Sequence, residues 1–199
     1  MSVLLGLLLL SAPKPTNITF VRHGETVANA TGKYNMKTLN TFSEKGKKGV
    51  ADLTARLLKQ PKYDMILVSP SERALRTIAP YLKASRRKAV VWPLLYECCT
   101  GKKEPIAKGP LPYGPKIDLP KDIAAYFIIE PGHDKLPNAP KYGMGLVQVK
   151  DSLAEFNKRY LGKNLLIVGH SGHGGQFIYG LTGQRKHVEN TKEIKFTLK

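Results

Sequence analysis

The sequence has 199 residues, 42% of them hydrophobic and 24% charged, which is ordinary for a globular protein. That length is sufficient for one α/β domain with a sizeable core. The formal charge is +17, from 32 Lys and Arg against 15 Asp and Glu. Such a charge attracts anionic ligands, although a generally basic surface without a specific partner explains it equally well. No helix-turn-helix, zinc-ligand or RNA-binding signature accompanies the charge, which argues against a nucleic-acid partner.

The chain begins with an apolar run from Val3 to Leu10, followed by small residues and Pro13. The run is far shorter than the ~20 residues of a membrane-spanning helix, so no membrane span is predicted. It resembles the apolar part of a secretory signal, although a basic segment before it is missing. We therefore interpret residues 1–13 as a truncated signal-like segment, which favours a periplasmic or secreted protein. The alternative is an added strand that packs on the domain of a cytoplasmic protein.

Strands and helices alternate through the first half of the chain. The pattern predicts, in order, a strand at 17–21, a helix from 26–30, a loop at 31–42, a helix at 43–59, a strand at 65–68, a helix at 71–84 and a strand that reaches Leu95. The helix at 43–59 is the clearest of these, because Val50, Leu53 and Leu57 recur at helical spacing and Ser43 precedes them as a cap.

The composition changes at about 101–145, where more than half of the 14 prolines lie among glycines and lysines. Only 122–129 is predicted to be regular, as a short helix. A long irregular insertion in a compact domain is usually functional or disordered. We predict that it forms a lid over the site, in which lysines attract remote negative charges of a substrate. These lysines are Lys102, Lys103, Lys108 and Lys116; a solvated lysine face is the alternative.

The last third returns to alternation. It predicts a helix at 146–160, a strand at 165–168, a Gly-rich helix at 172–180 and an edge strand at 194–198. The whole order is typical of an α/β fold, and no second domain is indicated, so residues 14–199 are predicted to form a single domain.

Chemically reactive side chains follow four of the predicted strands. Arg22 and His23 follow the first strand, Arg73 follows the second, Glu97 the third and His170 the fourth. In an open α/β sheet, ligands bind outside the carboxyl ends of the strands. Two arginines, two histidines and a carboxylate would therefore converge on one crevice, which is a set suited to phosphate chemistry.

These motifs resemble, in content and order, those of the histidine phosphatase superfamily, which includes phosphoglycerate mutases and acid phosphatases. The resemblance covers about 16–177 and rests on residues in four places: Arg22-His23-Gly24-Glu25-Thr26; Ser69-Pro70 with Arg73-Ala74 and Thr77; Leu95, Glu97, Gly101 and Glu104; and His170. It implies a three-layer α/β/α sandwich with a mostly parallel central sheet. Two positions depart from the family pattern, because Ser171 and Pro105 stand where many members carry Gly.

The resemblance assigns a role to each of the five convergent side chains. His23 is the expected nucleophile, Arg22 and Arg73 the phosphate clamps, and His170 a donor to the phosphoryl oxygens. Glu97 is the expected general acid and then base, with an ion pair to Lys102 or Lys103 as the alternative. Substrate contacts are expected from Glu25, Thr26, Asn29 and Ser171. Glu104 and Glu25 are weaker candidates for the proton donor.

The predicted function is hydrolysis of a small anionic phosphate ester through a phosphohistidine, without metal or organic cofactor. The first alternative is phosphoryl transfer of the phosphoglycerate mutase type, and the second is a basic module that binds polyanions without catalysis. A metal site at His170 and His173 is disfavoured because no carboxylate adjoins them in sequence. Substrate identity and oligomeric state stay open.

A serine hydrolase is the remaining rival, because Gly169-His170-Ser171-Gly172 resembles a nucleophile elbow. His173 replaces the last Gly of that motif, and no Asp follows Ser171 in the chain. The acid and the histidine would then come in the wrong order, so we set this interpretation aside. Cys98 and Cys99 are adjacent, which disfavours an unstrained disulfide, and they are predicted to pack the wall of the site.

Overall fold

The computed structural model describes residues 14–199, so the signal-like segment predicted over 1–13 lies outside it. Its strands are β1 (Thr16–Arg22), β2 (Met65–Val68), β3 (Ala89–Val91), β4 (Tyr113–Lys116), β5 (Phe127–Ile129), β6 (Lys135–Pro137), β7 (Asn164–Gly169) and β8 (Glu193–Leu198). Its helices are α1 (Val27–Thr31), α2 (Met36–Asn40), α3 (Glu44–Leu58), α4 (Glu72–Ser85), α5 (Tyr142–Arg159) and α6 (Ser171–Thr182).

Six strands form the central sheet in the order β5-β3-β2-β7-β1-β8. All neighbouring pairs are parallel except β1 and β8, which are antiparallel. The predicted α/β class, with a mostly parallel sheet, is confirmed. A separate two-stranded sheet pairs β4 with β6.

Successive residues of the central strands point to opposite faces, and each face is covered by a pair of helices. Val21 and Val68 pack with Leu53 of α3 and Leu75 of α4, all of them buried. On the other face, Ile18, Phe20, Leu67, Leu165 and Ile167 pack with α5 and α6 through Phe156, Phe177 and Ile178. Burying one such side chain contributes roughly 1.5–3 kcal/mol. The two cores therefore produce the predicted three-layer sandwich.

The order of the strands determines where the site lies. β7 is inserted between β2 and β1, with Val68 opposite Val168 and Arg22 opposite Gly169. The three strands run in the same direction, so the residues that follow them emerge side by side at one edge of the sheet. The chain leaves β1 and returns through β2 on the far side of β7, and such a reversal of strand order opens a crevice for a ligand.

The observed elements depart from the sequence predictions at four places, one of which is the pair β4 and β6 in a part of the insertion that was predicted to be irregular. The segment at 31–42, predicted as a loop, contains α2, which starts with a capping box between Asn35 and Thr38. The short helix predicted at 122–129 is wrong, because a 3₁₀ turn at Ala124–Tyr126 leads into β5. β5 pairs with β3, so an apolar segment within the insertion forms one edge of the central sheet. The strand that was predicted to reach Leu95 is shorter, because β3 ends at Val91 and a 3₁₀ turn runs from Pro93 to Leu95.

Candidate active site

A cavity of about 360 Å³ lies where β1, β2 and β7 end, and we call it the His23 cavity. Its lining consists of Arg22, His23, Thr26, Asn29, Tyr34, Leu39, Arg73, Glu97, Thr100 and Ser171. Two guanidinium groups face a single carboxylate there, so the cavity carries net positive charge. That balance suits an anionic ligand.

His23 is the side chain whose protonation the structure determines most directly. Its Nδ1 lies 2.8 Å from the carbonyl oxygen of Gly24, which can only accept, so Nδ1 carries the proton and donates it. Nε2 then carries the lone pair, and it accepts a hydrogen bond from Nε of Arg73 at 3.3 Å. Burial, reinforced by the charge of Arg73, lowers the pKa of His23 to about 3. At neutral pH this imidazole is therefore an uncharged base with Nε2 available for attack.

The turn that carries His23 is held from two distant parts of the chain. The Gly24 amide donates to Oγ1 of Thr77 at 2.8 Å, which joins the first motif to α4. The Asn190 amide donates to the His23 carbonyl at 2.7 Å from the segment before β8. The sequence motif included Thr77 without a role, and Asn190 went unnoticed because a single Asn in a polar segment carries no signal.

His170 directly follows β7 and lies fully buried beside His23, with the two ring centroids 5.2 Å apart. Its Nε2 is 2.8 Å from Oγ of Ser69 and 2.9 Å from Oγ of Ser71. Burial and the charge of Arg73 lower its pKa well below the ordinary value. Within 14–199 its Nδ1 is buried without a hydrogen-bond partner. When a serine hydroxyl donates to Nε2, the proton resides on Nδ1, which is then a donor for a ligand oxygen.

Ser69 and Ser71 position His170 through these two contacts; the sequence motif included Ser69 without a role, and Ser71 was missed. Both are buried, and they follow β2 directly. Their spacing is the sequence feature that could have revealed them. Two serines that lie two positions apart at the end of a strand point both hydroxyls towards the end of the neighbouring strand.

Glu97 follows the 3₁₀ turn and rests on the amino end of α6. Its Oε1 accepts hydrogen bonds from the backbone amides of His173 at 3.0 Å and Cys98 at 3.2 Å. A Cβ at Gly172 would lie 2.7 Å from this oxygen, so only Gly permits the contact. Burial raises the pKa of Glu97, against the lowering by these amides and Arg73. A carboxyl that holds its proton longer than usual is suited to proton donation.

The ion pair of Glu97 with Lys102 or Lys103, which was the alternative to the role of general acid, is not formed. Oε2 of Glu97 lies 3.9 Å from Nδ1 of His170, and this contact is not an ion pair at neutral pH because the lowered pKa of His170 keeps its ring uncharged. The carboxylate and the second histidine therefore face the same space.

Both arginines line the cavity together with His23. Arg22 donates from Nη1 to the Val188 carbonyl at 3.2 Å, while its Nε is buried without a partner among residues 14–199. Arg73 reaches His23 from the first turn of α4. Arg76, one turn further on, pairs with Glu72 and Asp122 and does not line the cavity.

Most of the residues predicted from sequence come together here, and Glu25 is the exception. Thr26 and Asn29 line the cavity and form the capping box of α1. Ser171 lines it from the start of α6. Glu25 turns away, because its carboxylate accepts from the Ser43 hydroxyl at 2.8 Å and pairs with Lys45 at 3.1 Å. These contacts lower its pKa, so Glu25 is a poor proton donor, and it does not line the His23 cavity.

The insertion does not cover the His23 cavity as predicted. No residue between 101 and 145 lines it, and Tyr34 and Leu39, in and beside α2, do so instead. Lys116 pairs with Asp134 at 3.5 Å, beside the small sheet. Lys103 lines a neighbouring groove, and Glu104 accepts from the Gly143 amide at 3.0 Å.

The two cysteines pack the wall behind Glu97, in agreement with the sequence interpretation. Cys98 is buried, and its Sγ lies 3.4 Å from the Gly145 carbonyl and 2.9 Å from Sγ of Cys99. A Cβ at Gly145 would come within 2.7 Å of the Cys99 amide, so α5 approaches this turn through Gly145.

Within residues 14–199, no group of three His, Cys, Asp or Glu side chains is placed to hold a metal ion. His173 is fully buried and bonds through Nε2 to the Ser152 hydroxyl at 3.1 Å, which turns it away from His170. Within the same range, none of the helices has the length and apolar character of a membrane crossing.

Comparisons with known proteins agree with this geometry. The sequence model of the histidine phosphatase superfamily (branch 1) matches residues 18–193. None of the curated proteins matches the chain in sequence.

Solved structures share its fold. An alpha-ribazole phosphatase from Shigella flexneri is 20% identical, with 90% of this chain and 89% of that one covered and a TM-score of 0.61. A phosphoglycerate mutase from Bacillus anthracis is 18% identical, with 94% and 89% covered and a TM-score of 0.59. A phosphoserine phosphatase variant from Entamoeba histolytica, in complex with phosphoserine, is 16% identical, with 91% and 90% covered and a TM-score of 0.57.

Proposed function

The chain belongs to the histidine phosphatase superfamily, and we propose that it hydrolyses phosphomonoesters through a phosphohistidine formed at His23. One observation carries the proposal: the hydrogen bond from Nδ1 to the Gly24 carbonyl leaves Nε2 as an unprotonated lone pair inside a cavity with two arginines. A nucleophile of this kind divides one difficult displacement into two easier ones.

In the first step the phosphoryl group of the ester lies between Arg22 and Arg73, whose planar guanidinium groups match its oxygens. Nε2 of His23 attacks phosphorus while the bond from phosphorus to the ester oxygen breaks. The electron pair of that bond stays on the ester oxygen, which takes a proton from Glu97 and leaves as an alcohol. Nδ1–H of His170 donates to a phosphoryl oxygen, where negative charge is held in a buried site.

In the second step Glu97, now a carboxylate, accepts a proton from a water molecule. The oxygen of that water attacks phosphorus, and the bond between phosphorus and Nε2 breaks. Inorganic phosphate leaves, His23 regains its lone pair, and Glu97 is again protonated. The raised pKa of Glu97 serves both steps, because the group must lose and regain its proton in every cycle.

The proposal predicts a phosphorylated protein that is stable in base and labile in acid after rapid quenching with substrate. Replacing the nucleophile in His23→Ala should remove this species and lower kcat by several orders of magnitude. The matched control is His187→Ala, since His187 is exposed and does not line the His23 cavity. Circular dichroism of both variants checks that the fold is retained.

Phosphate release and isomerisation of phosphoglycerate are measured on the same samples. Near-normal phosphate release by His23→Ala would overturn the mechanism. Isomerisation without release of phosphate would identify a mutase, and absence of turnover on every phosphomonoester would favour a module that binds polyanions.

A further inference from the structure

A groove of about 240 Å³ runs along α6 beside the His23 cavity, and we call it the α6 groove. Ser171, Gly175 and Tyr179 lie on the side of α6 that lines it, each one turn after the last. With a rise of 1.5 Å per residue, the groove extends ~12 Å from Ser171 to Tyr179.

The α6 groove starts at the catalytic carboxyl. Ser171 lines both the groove and the His23 cavity. Gly172, the next residue, also lines the groove, and it is the glycine against which Oε1 of Glu97 packs. In the proposed mechanism Glu97 protonates the leaving oxygen, so the leaving group must lie on the side of the cavity where Glu97 is. Beyond that oxygen, the α6 groove is the space that leads away along the protein surface.

The charge of the α6 groove is entirely positive. Lys103, Arg185 and Lys186 line it, and no carboxylate does. None of the ion pairs within 14–199 involves these three residues. The Arg185 guanidinium lies 5.1 Å from the centroid of the Tyr179 ring, which holds its charge at the far end. A phosphate or carboxylate is the ligand that such a set recognises.

The middle of the α6 groove is open and polar. A Cβ at Gly175 would meet no atom within 4 Å, so the floor has room there. Gln176 and Tyr142 form the adjacent wall and hydrogen-bond to each other at 3.0 Å. An uncharged linker between two anionic groups would pass over this part. The cavity on the other side of Arg22 differs, since Glu25, Asp52 and Glu189 line it among basic residues.

We propose that the α6 groove binds the leaving group and selects phosphomonoesters that carry a second anionic group ~10–12 Å from the phosphate that is cleaved. The inference rests on the proposed hydrolase function and adds its substrate class. It assigns specificity to Arg185, Lys186 and Lys103, which lie outside the reacting atoms.

The test compares two substrates with the same type of leaving oxygen, hexane-1,6-diyl bisphosphate and hexyl phosphate. We expect kcat/KM for the bisphosphate to exceed that for hexyl phosphate by about tenfold at low salt, beyond the factor of two from its equivalent ends. The double variant Arg185→Gln/Lys186→Gln should lower this ratio towards two. Gly175→Leu should also lower this ratio, because the new side chain would fill the open space on the floor of the groove. Leu favours a helix, so the substitution suits its position in α6.

Lys108→Gln is the matched control, since Lys108 is exposed and does not line the groove. It should keep the ratio of the unmodified protein. Thermal unfolding of Gly175→Leu checks its fold, and the double variant tests the inference if that protein is unstable.

The outcomes separate the two proposals. If neither hexyl phosphate nor the bisphosphate is hydrolysed, the proposed function fails. If both are hydrolysed at a ratio of two, the function stands and the inference is overturned. A high ratio that survives the double variant also overturns it, because selection would then occur elsewhere.

Discussion

The His23 cavity and the α6 groove adjoin at Ser171 but are built in opposite ways. In the cavity, His23 is 3% exposed and His170 is fully buried, and neighbouring residues hold each ring. In the groove, Lys103, Arg185 and Lys186 are exposed, and their charged groups stand at the ends of long side chains. Buried, preorganised groups suit chemistry, because they stabilise charge without reorganising during the reaction. Exposed charges suit recognition, and water and salt weaken them. Substitutions in the cavity should therefore have large effects on activity that depend on pH. Substitutions in the groove should have small effects on activity that depend on salt.

The largest effect within this comparison is expected for Glu97→Gln. Loss of a general acid typically costs ~10²- to 10⁴-fold, so hydrolysis of hexyl phosphate should fall by that amount. An aryl phosphate needs less proton donation from the enzyme, so p-nitrophenyl phosphate should lose far less. Steady-state kinetics on the two esters measures the difference, and equal losses would assign the proton donor to another group.

The pH profile sharpens the same prediction. The first step needs protonated Glu97, so kcat/KM for hexyl phosphate should decline as pH rises through the pKa of this residue. Burial raises that pKa, so the decline should lie at higher pH than for an ordinary Glu. In Glu97→Gln this limb should be missing. An unchanged limb in the variant would show that a different group titrates.

How far the sequence predicts this molecule depends on the range of the contacts. β1, β2 and β7 and the two histidines were predictable, since short apolar runs and the residues that follow them are local signals. Ser69 and Ser71 contact His170 about 100 positions later in the chain, and no local pattern reveals that contact.

The misses have related physical causes. The strand at 127–129 was predicted as a helix because so short an apolar run has no clear period, and pairing with β3 decides its conformation. Glu25 was predicted at the ligand because it belongs to the motif that carries His23, yet Ser43 and Lys45 hold its carboxylate elsewhere.

A second effect concerns stability, and it too distinguishes the buried site from the exposed groove. Burial lowers the pKa values of His23 and His173 to about 3, and that of His170 well below the ordinary 6.5. As pH falls below ~6.5, the unfolded chain takes up protons that the folded protein refuses. The free energy of unfolding should therefore fall by up to ~1.4 kcal/mol per pH unit for each histidine.

Thermal or urea unfolding between pH 7.5 and 5 measures this slope. His173→Gln removes one of the three titrating groups and retains a side chain that can bond to Ser152. Its slope should be smaller by the share of one histidine, up to ~1.4 kcal/mol per pH unit. A slope equal to that of the unmodified protein would mean that His173 is not kept neutral by the fold.

The smallest effect is expected for one charge of the α6 groove, in Lys186→Gln. At low salt this change should raise KM for the bisphosphate by only a few-fold, as an exposed charge interacts by ~1 kcal/mol or less. The Debye length falls from ~10 Å at 0.1 M to ~3 Å at 1 M, so the difference between variant and unmodified protein should vanish in high salt. The loss in Glu97→Gln should persist there, because Glu97 acts from a buried position. A KM effect of Lys186→Gln that is the same at both salt concentrations would contradict an exposed, screened contact and would place the Lys186 ammonium in a desolvated bond instead.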